Sequence, residues 1–295
     1  MDAGQDGRVP ADLGAFMCVH ARDVDGLFPL ALRSLGRHFP VAGSVHVVTN
    51  DPDALRRLLE REPPALPVRV SADSDWLTPA EGALPGWYRQ QLLKLRAHRL
   101  VDARFAVNLG ADTLLLRDVP VTDLVDGDEA VLRWSRHRLP DVHWRYERAR
   151  VRAAGEILGA HPRRALRRVD FINDFFPFDR SVLIALEEHM TARYGPEPWA
   201  TLLTGRGTTP KEQKRFGEWT LYATYVLDVL GRRPPLLEAS NGYLTQLHSP
   251  RAVRGFAWDS TVVHVVPKDV DVSRIRARLD ALDGGPSSER PAPVI

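Results

Sequence analysis

Short apolar segments alternate with amphipathic ones in the first part of the chain, and this order narrows the possible folds more than any other feature. Residues 15–20, 44–49 and 68–70 are apolar or β-branched and predict strands. Residues 27–38 and 54–60 have the apolar spacing of helices. A β-α-β-α-β order predicts a mostly parallel sheet with helices on its faces, so we expect an α/β fold of the Rossmann-like kind.

The rest of the chain continues in the same way. Further helices are predicted at residues 86–100, 148–158, 180–194 and 216–230, and further strands at 105–109, 129–134 and 262–266. The aromatic segment 170–178 is predicted to be irregular. We find no internal repeat and no linker, and predict a single domain over residues 13–283. Residues 1–12 are expected to be frayed and the Pro- and Ser-rich residues 284–295 a disordered tail.

Bulk composition excludes several classes of protein. The net charge of +2 over 295 residues gives no support for a nucleic-acid-binding surface. Cys18 is the only cysteine, which excludes an internal disulfide and favours a small core residue. No apolar stretch is long enough for a membrane span and no signal core is seen, so a cytoplasmic protein is expected. The phosphate loop, the dinucleotide-binding glycine motif, the nucleophile elbow and the HExxH zinc motif are absent, which disfavours the usual kinases, dehydrogenases, hydrolases and zinc peptidases.

The predicted strand 105–109 leads into a turn of small residues that carries one carboxylate, Asp112. Ligands of open α/β sheets bind beyond the carboxyl ends of the strands, so an acid at this place suits a binding site. Gly110 and Ala111 would let a ligand approach the backbone. Asp112 would equally serve as a turn cap, and the segment alone leaves both interpretations open.

Three further segments carry polar groups in apolar surroundings. Gln91 and Lys94 share one face of a predicted helix, where Lys94 is either a phosphate ligand or a solvated lysine. Glu218, Tyr222 and Tyr225 share a face of another, which suits either sugar binding or an ordinary core helix. His264 lies in an apolar strand, where a hydrogen-bonded core histidine is the common case. A polar set among aromatic residues has the same ambiguity: Asp170, Asn173, Asp174 and Asp179.

Taken in chain order, these segments resemble glycosyltransferases of the GT-A fold. The resemblance is to the glycogenin-like transferases and to a bacterial family of glycosyltransferase-like proteins without an assigned role. It is carried by Leu30-Ala-Leu-Arg-Ser-Leu35, Gly86-Trp-Tyr-Arg-Gln-Gln-Leu-Leu-Lys94, Gly110-Ala-Asp-Thr113 and the aromatic-acid helix 216–225, and it spans residues 14–268.

The resemblance implies a donor and a set of roles. The donor would be a nucleotide-diphosphate sugar, and the acceptor a molecule bearing a hydroxyl or amine group. Nucleotide binding is implied for His20, Arg22, Lys94, Ala111, Asp112 and Lys268. Catalysis is implied for Asp174 and Glu218, and metal binding for Asp112 and His264. Substrate binding is expected of Trp87, Gln91, Asn173 and Tyr222.

One departure from the family motif bears on metal use. The motif has two carboxylates around a single residue, whereas the first position here is Gly110. Because hard divalent ions prefer several oxygen ligands, Mn²⁺ or Mg²⁺ is expected to bind weakly or not at all, with arginine and lysine supplying the positive charge. We expect a glycosyltransferase that acts on a small or modest-sized acceptor. The alternatives are an inactive binding protein and a nucleotidyltransferase; the stereochemistry of transfer and the oligomeric state stay open.

Overall fold

The computed structural model describes residues 12–136, 142–161, 169–171, 174–204, 215–238, 243–266 and 269–284. The two predicted terminal tails, residues 1–12 and 284–295, fall almost wholly outside these ranges and stay predictions. Within the described ranges, no helix is both long and apolar enough to cross a membrane.

A five-stranded sheet forms the centre of the fold. Its strands are β1 (Leu13–Val19), β2 (Val45–Thr49), β3 (Val68–Ala72), β4 (Phe105–Leu109) and β10 (Phe175–Asp179). The order across the sheet is β10-β4-β1-β2-β3, with β1 to β4 parallel and β10 antiparallel to β4. The predicted mostly parallel sheet is therefore confirmed.

The antiparallel strand β10 corrects the prediction of an irregular segment at residues 170–178. Its residues alternate between the faces: Phe175 packs into the core on one side of the sheet, and Phe176 and Phe178 into the core on the other. Pro177, which obscures the strand pattern in the sequence, is tolerated because β10 lies at the edge of the sheet, where a missing backbone N–H costs no ladder bond.

Helices cover the sheet. The first are α1 (Phe28–His38), α2 (Pro52–Arg61), α3 (Pro79–Gly82), α4 (Gly86–Leu95) and α5 (Ala97–Leu100). The predicted single helix over residues 86–100 is instead two helices that break at Arg96, where ψ is 15°. The Arg96 guanidinium donates to both carboxylate oxygens of Glu81, at 2.6 and 2.7 Å, and this buried pair fixes the chain at the break.

The chain after β4 adds smaller sheets and the remaining described α-helices. The strands are β5 (Thr113–Leu115), β6 (Val125–Asp126), β7 (Glu129–Ala130), β8 (Leu132–Arg136), β9 (Val169–Asp170), β11 (Leu236–Glu238), β12 (Leu244–Leu247) and β13 (Val262–Val265). The helices are α6 (Val142–Leu158), α7 (Arg180–Tyr194), α8 (Pro198–Thr204), α9 (Glu218–Thr224), α10 (Pro250–Gly255) and α11 (Val272–Gly284). Strand β13 pairs with both β12 and β5. A π-helical turn, Tyr225–Val229, continues α9.

Strand β1 separates two hydrophobic cores, since alternate residues of a strand point to opposite faces. Ala15 and Met17 pack into one core, and Phe16 and Cys18 into the other. Burial raises the pKa of the Cys18 thiol to about 12, partly offset by the nearby positive charge of Lys94. Cys18 is thus an uncharged core residue, as the sequence predicts.

Candidate active site

The turn between β4 and β5 places Asp112 beside His264. Thr113 is the register partner of His264, and the backbone N–H of Val265 donates to the carbonyl of Asp112 at 2.9 Å. These backbone contacts hold the two side chains next to each other, with Asp112 Oδ1 3.4 Å from His264 Nε2. The Asp112 side chain keeps about a quarter of its surface exposed, at 26%.

Asp174, the residue before β10, also lies beside His264. Its backbone carbonyl accepts the Gly110 N–H at 3.0 Å, so it is next to the end of β4. Its Oδ2 is 2.7 Å from Nδ1 of His264. The two side chains form an ion pair. His264 therefore has one carboxylate at each of its ring nitrogens.

The two carboxylates decide the charge of His264. Burial by itself lowers the pKa of the imidazole, but the negative charges of Asp174 and Asp112 outweigh it and raise the pKa to about 10. The ring is consequently an imidazolium at neutral pH, and it lies near the carboxyl end of β4.

Gly110 has a steric reason to be glycine. A Cβ at this position would come within 2.7 Å of Thr113 Oγ1 and 3.3 Å of Asp112 Oδ1. A side chain at position 110, such as the first carboxylate of the GT-A motif, would therefore require the Thr113 hydroxyl to move.

The remaining donors fit a divalent cation poorly. Asp112 and Asp174 lie against different nitrogens of His264 and do not converge on one point. In the part of the chain that the structure describes, no group of three or more His, Cys, Asp or Glu side chains is placed to hold a metal ion.

A second cluster is built around Lys94 and Glu218. Lys94 Nζ donates to Glu218 Oε1 at 2.6 Å and lies 4.3 Å from the ring centre of Trp219. The Gln91 amide, with its nitrogen turned towards Glu218, donates to the same carboxylate. Burial tends to lower the pKa of Lys94, but Glu218 raises it overall, and the charge of Asp174 acts in the same direction. Lys94 and Glu218 thus neutralise each other, within electrostatic reach of Asp174.

Other predicted site residues lie at the ends of neighbouring elements. His20 and Arg22 follow β1 directly; His20 is exposed, and the Arg22 side chain is 74% exposed. Ala111 sits in the β4–β5 turn and packs partly against the core. Trp87 Nε1 donates to the carbonyl of Phe216 at 3.1 Å, which ties α4 to the segment before α9.

Tyr222 is placed in the core. It is 1% exposed, its hydroxyl accepts the Asp179 N–H at 2.9 Å, and its ring meets Phe176 and Phe178 edge-on. This placement agrees with the core-helix alternative for the aromatic-acid segment. Asn173 and Lys268, also predicted as site residues, lie outside the described residues.

Residues 49–251 match a sequence family described as a family of unknown function, DUF6492. The chain belongs to that family. No curated protein matches the chain in sequence.

Several solved structures resemble this DUF6492 protein in fold. A structure of the galactosyltransferase LgtC with donor and acceptor sugar analogs is 12% identical to this chain, with a TM-score of 0.49. The match covers 94% of this chain and 97% of the LgtC chain. An active-site mutant of LgtC gives the same identity and coverage with a TM-score of 0.51. WbbM, a bifunctional glycosyltransferase in its apo form, is 9% identical with a TM-score of 0.50; the match covers 89% of this chain and 47% of WbbM. The predicted GT-A-type α/β fold is thereby confirmed.

Some contacts of the candidate active site are not predicted by the sequence. Trp219 directly follows Glu218, yet only the structure shows its ring beside Lys94. Asp174, which directly precedes the edge strand β10, pairs with His264 in a strand of another sheet, and no spacing in the sequence indicates this contact.

Proposed function

We propose that this protein transfers a sugar from a nucleotide-diphosphate sugar to an acceptor bearing a hydroxyl or amine group. The observation that carries the proposal is the meeting of Asp112, His264 and Asp174 at the carboxyl end of β4 in a GT-A-type fold. That edge of an open α/β sheet is where ligands bind. Glycosyltransferases share this fold: an active-site mutant of LgtC and WbbM match the chain with TM-scores of 0.51 and 0.50.

In this proposal the donor diphosphate lies against the β4–β5 turn, near Ala111 and Asp112. Departure of the nucleoside diphosphate is assisted by positive charge placed beforehand, because fixed charges need no rearrangement as the bond breaks. The His264 imidazolium is paired with both Asp112 and Asp174, so this cluster carries no net positive charge of its own. Lys94 is neutralised by Glu218, so Arg22 and Lys268 are the cations that we assign to the nucleotide and its phosphates.

Asp174 is the carboxylate that we assign to the acceptor or the transferred sugar. It belongs to the same cluster as Asp112 and His264. Glu218 is 1% exposed and held by Lys94 and Gln91, so it positions these two side chains and would act as a base only if the pair opened. Trp87, Gln91 and Asn173 stay assigned to the substrate side.

We propose weak or no dependence on Mn²⁺ or Mg²⁺. The support is steric and chemical: Gly110 cannot be replaced by a carboxylate without displacing Thr113, and the described donors do not converge. Transfer that continues at a comparable rate in EDTA is the expected result, and transfer that appears only when Mn²⁺ is added would contradict this part of the proposal.

The test is binding and hydrolysis of a panel of nucleotide sugars. We expect at least one donor to bind and to be hydrolysed slowly. Asp112→Asn should remove hydrolysis while the circular dichroism spectrum and melting temperature stay close to those of the wild type. The matched control is Asp118→Asn, which changes an exposed carboxylate whose partner is His38. If no donor binds, the proposal fails.

Gly110 also favours a second candidate, a binding protein that holds a nucleotide sugar without transferring it. Tight donor binding with no turnover for any acceptor would select this function. Mass analysis of the products separates glycosyl transfer from nucleotidyl transfer, since only the latter leaves a nucleotide on the acceptor.

A further inference from the structure

A groove separates α10 and the segment after it from α11. Its volume is about 610 Å³, and its walls come from residues 250–258 and 269–281. Small-molecule sites have volumes of about 300–1,000 Å³, so the groove is of the right size for a ligand of a few rings. None of the candidate active-site residues lines it.

Three arginines line the groove: Arg254 on α10, and Arg274 and Arg278 on α11. Arg274 and Arg278 are four residues apart and so share one face of the helix. All three are exposed, and none forms an ion pair with another residue of the described ranges.

Other charged residues of α11, which do not line the groove, do form ion pairs. Arg276 is 3.2 Å from Glu62, Asp280 is 2.8 Å from Arg33, and Asp283 is 2.9 Å from Arg37. One face of α11 is thus tied by ion pairs to α1 and to Glu62 at the C-terminal end of α2, while the arginines that line the groove have no ion-pair partner within the described ranges. Asp269 and Asp271 also line the groove, but Asp271 caps the helix by accepting the Arg274 N–H at 3.1 Å.

Aromatic rings complete the groove. Phe256 and Trp258 both line it, with ring centres 5.5 Å apart; Phe256 is partly exposed, whereas Trp258 is 8% exposed and belongs to the core beneath the groove. Trp258 has a φ of 61°, the only positive φ outside glycine in the described residues. A bulky residue in the left-handed region is held there by its surroundings, and such positions cluster at ligand sites.

We propose that this groove binds the acceptor, and that the acceptor is a saccharide with phosphate or carboxylate groups. Guanidinium groups bind both anions through paired hydrogen bonds, and aromatic rings pack against the apolar faces of sugars. Strand β13 connects the groove to the candidate active site: Trp258 precedes it and His264 lies within it. Six residues of extended chain span at most about 20 Å, so an acceptor of a few sugar units could reach from one to the other. The assignment as an acceptor site rests on the proposed glycosyl transfer.

The experiment measures binding of matched probes by calorimetry. Trigalacturonate is compared with neutral maltotriose, and glucose 6-phosphate with glucose. We expect one or both anionic probes to bind, more weakly as salt increases, and the neutral ones to bind at least tenfold more weakly. The carboxylate and phosphate arms show which anion the groove prefers. Equal binding of charged and neutral probes, or binding of none, would overturn the proposal.

Variants locate the binding. The double variant Arg274→Gln/Arg278→Gln should lower affinity for the anionic probe at least tenfold. The control Arg276→Gln, on the same helix but paired with Glu62, should change it less than twofold. Equal losses in both would place the probe elsewhere. Nucleotide-sugar binding is measured on the same proteins and should be unchanged in all of them. If the anionic probe binds in the groove but no nucleotide sugar binds anywhere, the proposed transfer fails and the acceptor role of the groove fails with it.

Discussion

Lys94 and Glu218 are 124 residues apart in the chain, and their side chains meet at 2.6 Å in the interior, where Lys94 is 6% and Glu218 1% exposed. Both charges have lost their water, and each is compensated mainly by the other. Such a pair contributes little relative to two apolar residues, but removal of one partner leaves an uncompensated buried charge.

Lys94→Met should therefore destabilise the protein by about 3–5 kcal/mol, measured by urea denaturation. The double variant Lys94→Met/Glu218→Leu should recover much of this loss, because no charge is then left unpaired. The control Arg61→Met breaks an exposed pair with Asp25, with side chains 66% and 80% exposed, and should cost less than about 1 kcal/mol. A loss for Lys94→Met no larger than that of the control would show that the pair does not matter for folding.

The sequence predicts those parts of the fold that depend on local pattern. Strand β4 and helix α7 have the predicted bounds because each combines a strong apolar pattern with a clear stop: Gly110 after β4 and Gly195 after α7. Strand β10 is not predicted because a proline such as Pro177 argues against a strand. Only its position at the edge of the sheet, beside β4, explains why the proline is tolerated there.

The candidate site could be predicted residue by residue but not as an arrangement. Asp112, Asp174 and His264 are each suspected from their place in an apolar context. Their convergence depends on which strands pair, and the pairing of β13 with β5 is a long-range contact that no local spacing encodes. The same holds for Lys94. Its position in the sequence suits a phosphate ligand, but the structure pairs it with Glu218.

Glu187 should make stability depend on pH in the acid range. Burial tends to raise its pKa, but hydrogen bonds from His98 and Arg99 outweigh this and lower the pKa to about 2, against an ordinary value of 4.5. The folded state thus favours the ionised form. Its stabilising effect is complete above pH 4.5 and is lost as the pH falls towards about 2.

Glu187→Gln should accordingly cost about 2 kcal/mol at pH 7, and the difference from wild type should shrink when denaturation is repeated at pH 4 and pH 3. A difference that stays constant with pH would mean that the glutamate acts through packing instead. Asp25→Asn, on the exposed pair with Arg61, serves as the control and should show little difference at any of these pH values.

Tyr222→Phe separates a core role from a substrate role. The variant removes the hydroxyl that accepts the Asp179 N–H at 2.9 Å and leaves that buried donor without its partner. We expect a loss of about 1–3 kcal/mol in unfolding free energy, with nucleotide-sugar affinity within twofold of wild type. A weakened affinity at unchanged stability would return Tyr222 to the substrate-binding residues.

Gly110→Asp tests why the metal motif is incomplete. The new Cβ would lie 2.7 Å from Thr113 Oγ1, so the single variant should be destabilised by about 1–3 kcal/mol. Thr113→Ala removes the obstructing atom, which has no hydrogen-bond partner in the described residues, and the double variant should regain most of the stability. With two carboxylates side by side, the double variant should also bind Mn²⁺ more tightly than the wild type in a calorimetric titration, since hard cations gain from each added oxygen ligand. Gly110→Ala/Thr113→Ala is the matched control and should bind no better than wild type. Equal Mn²⁺ affinity in all three proteins would show that Gly110 is not what limits metal binding.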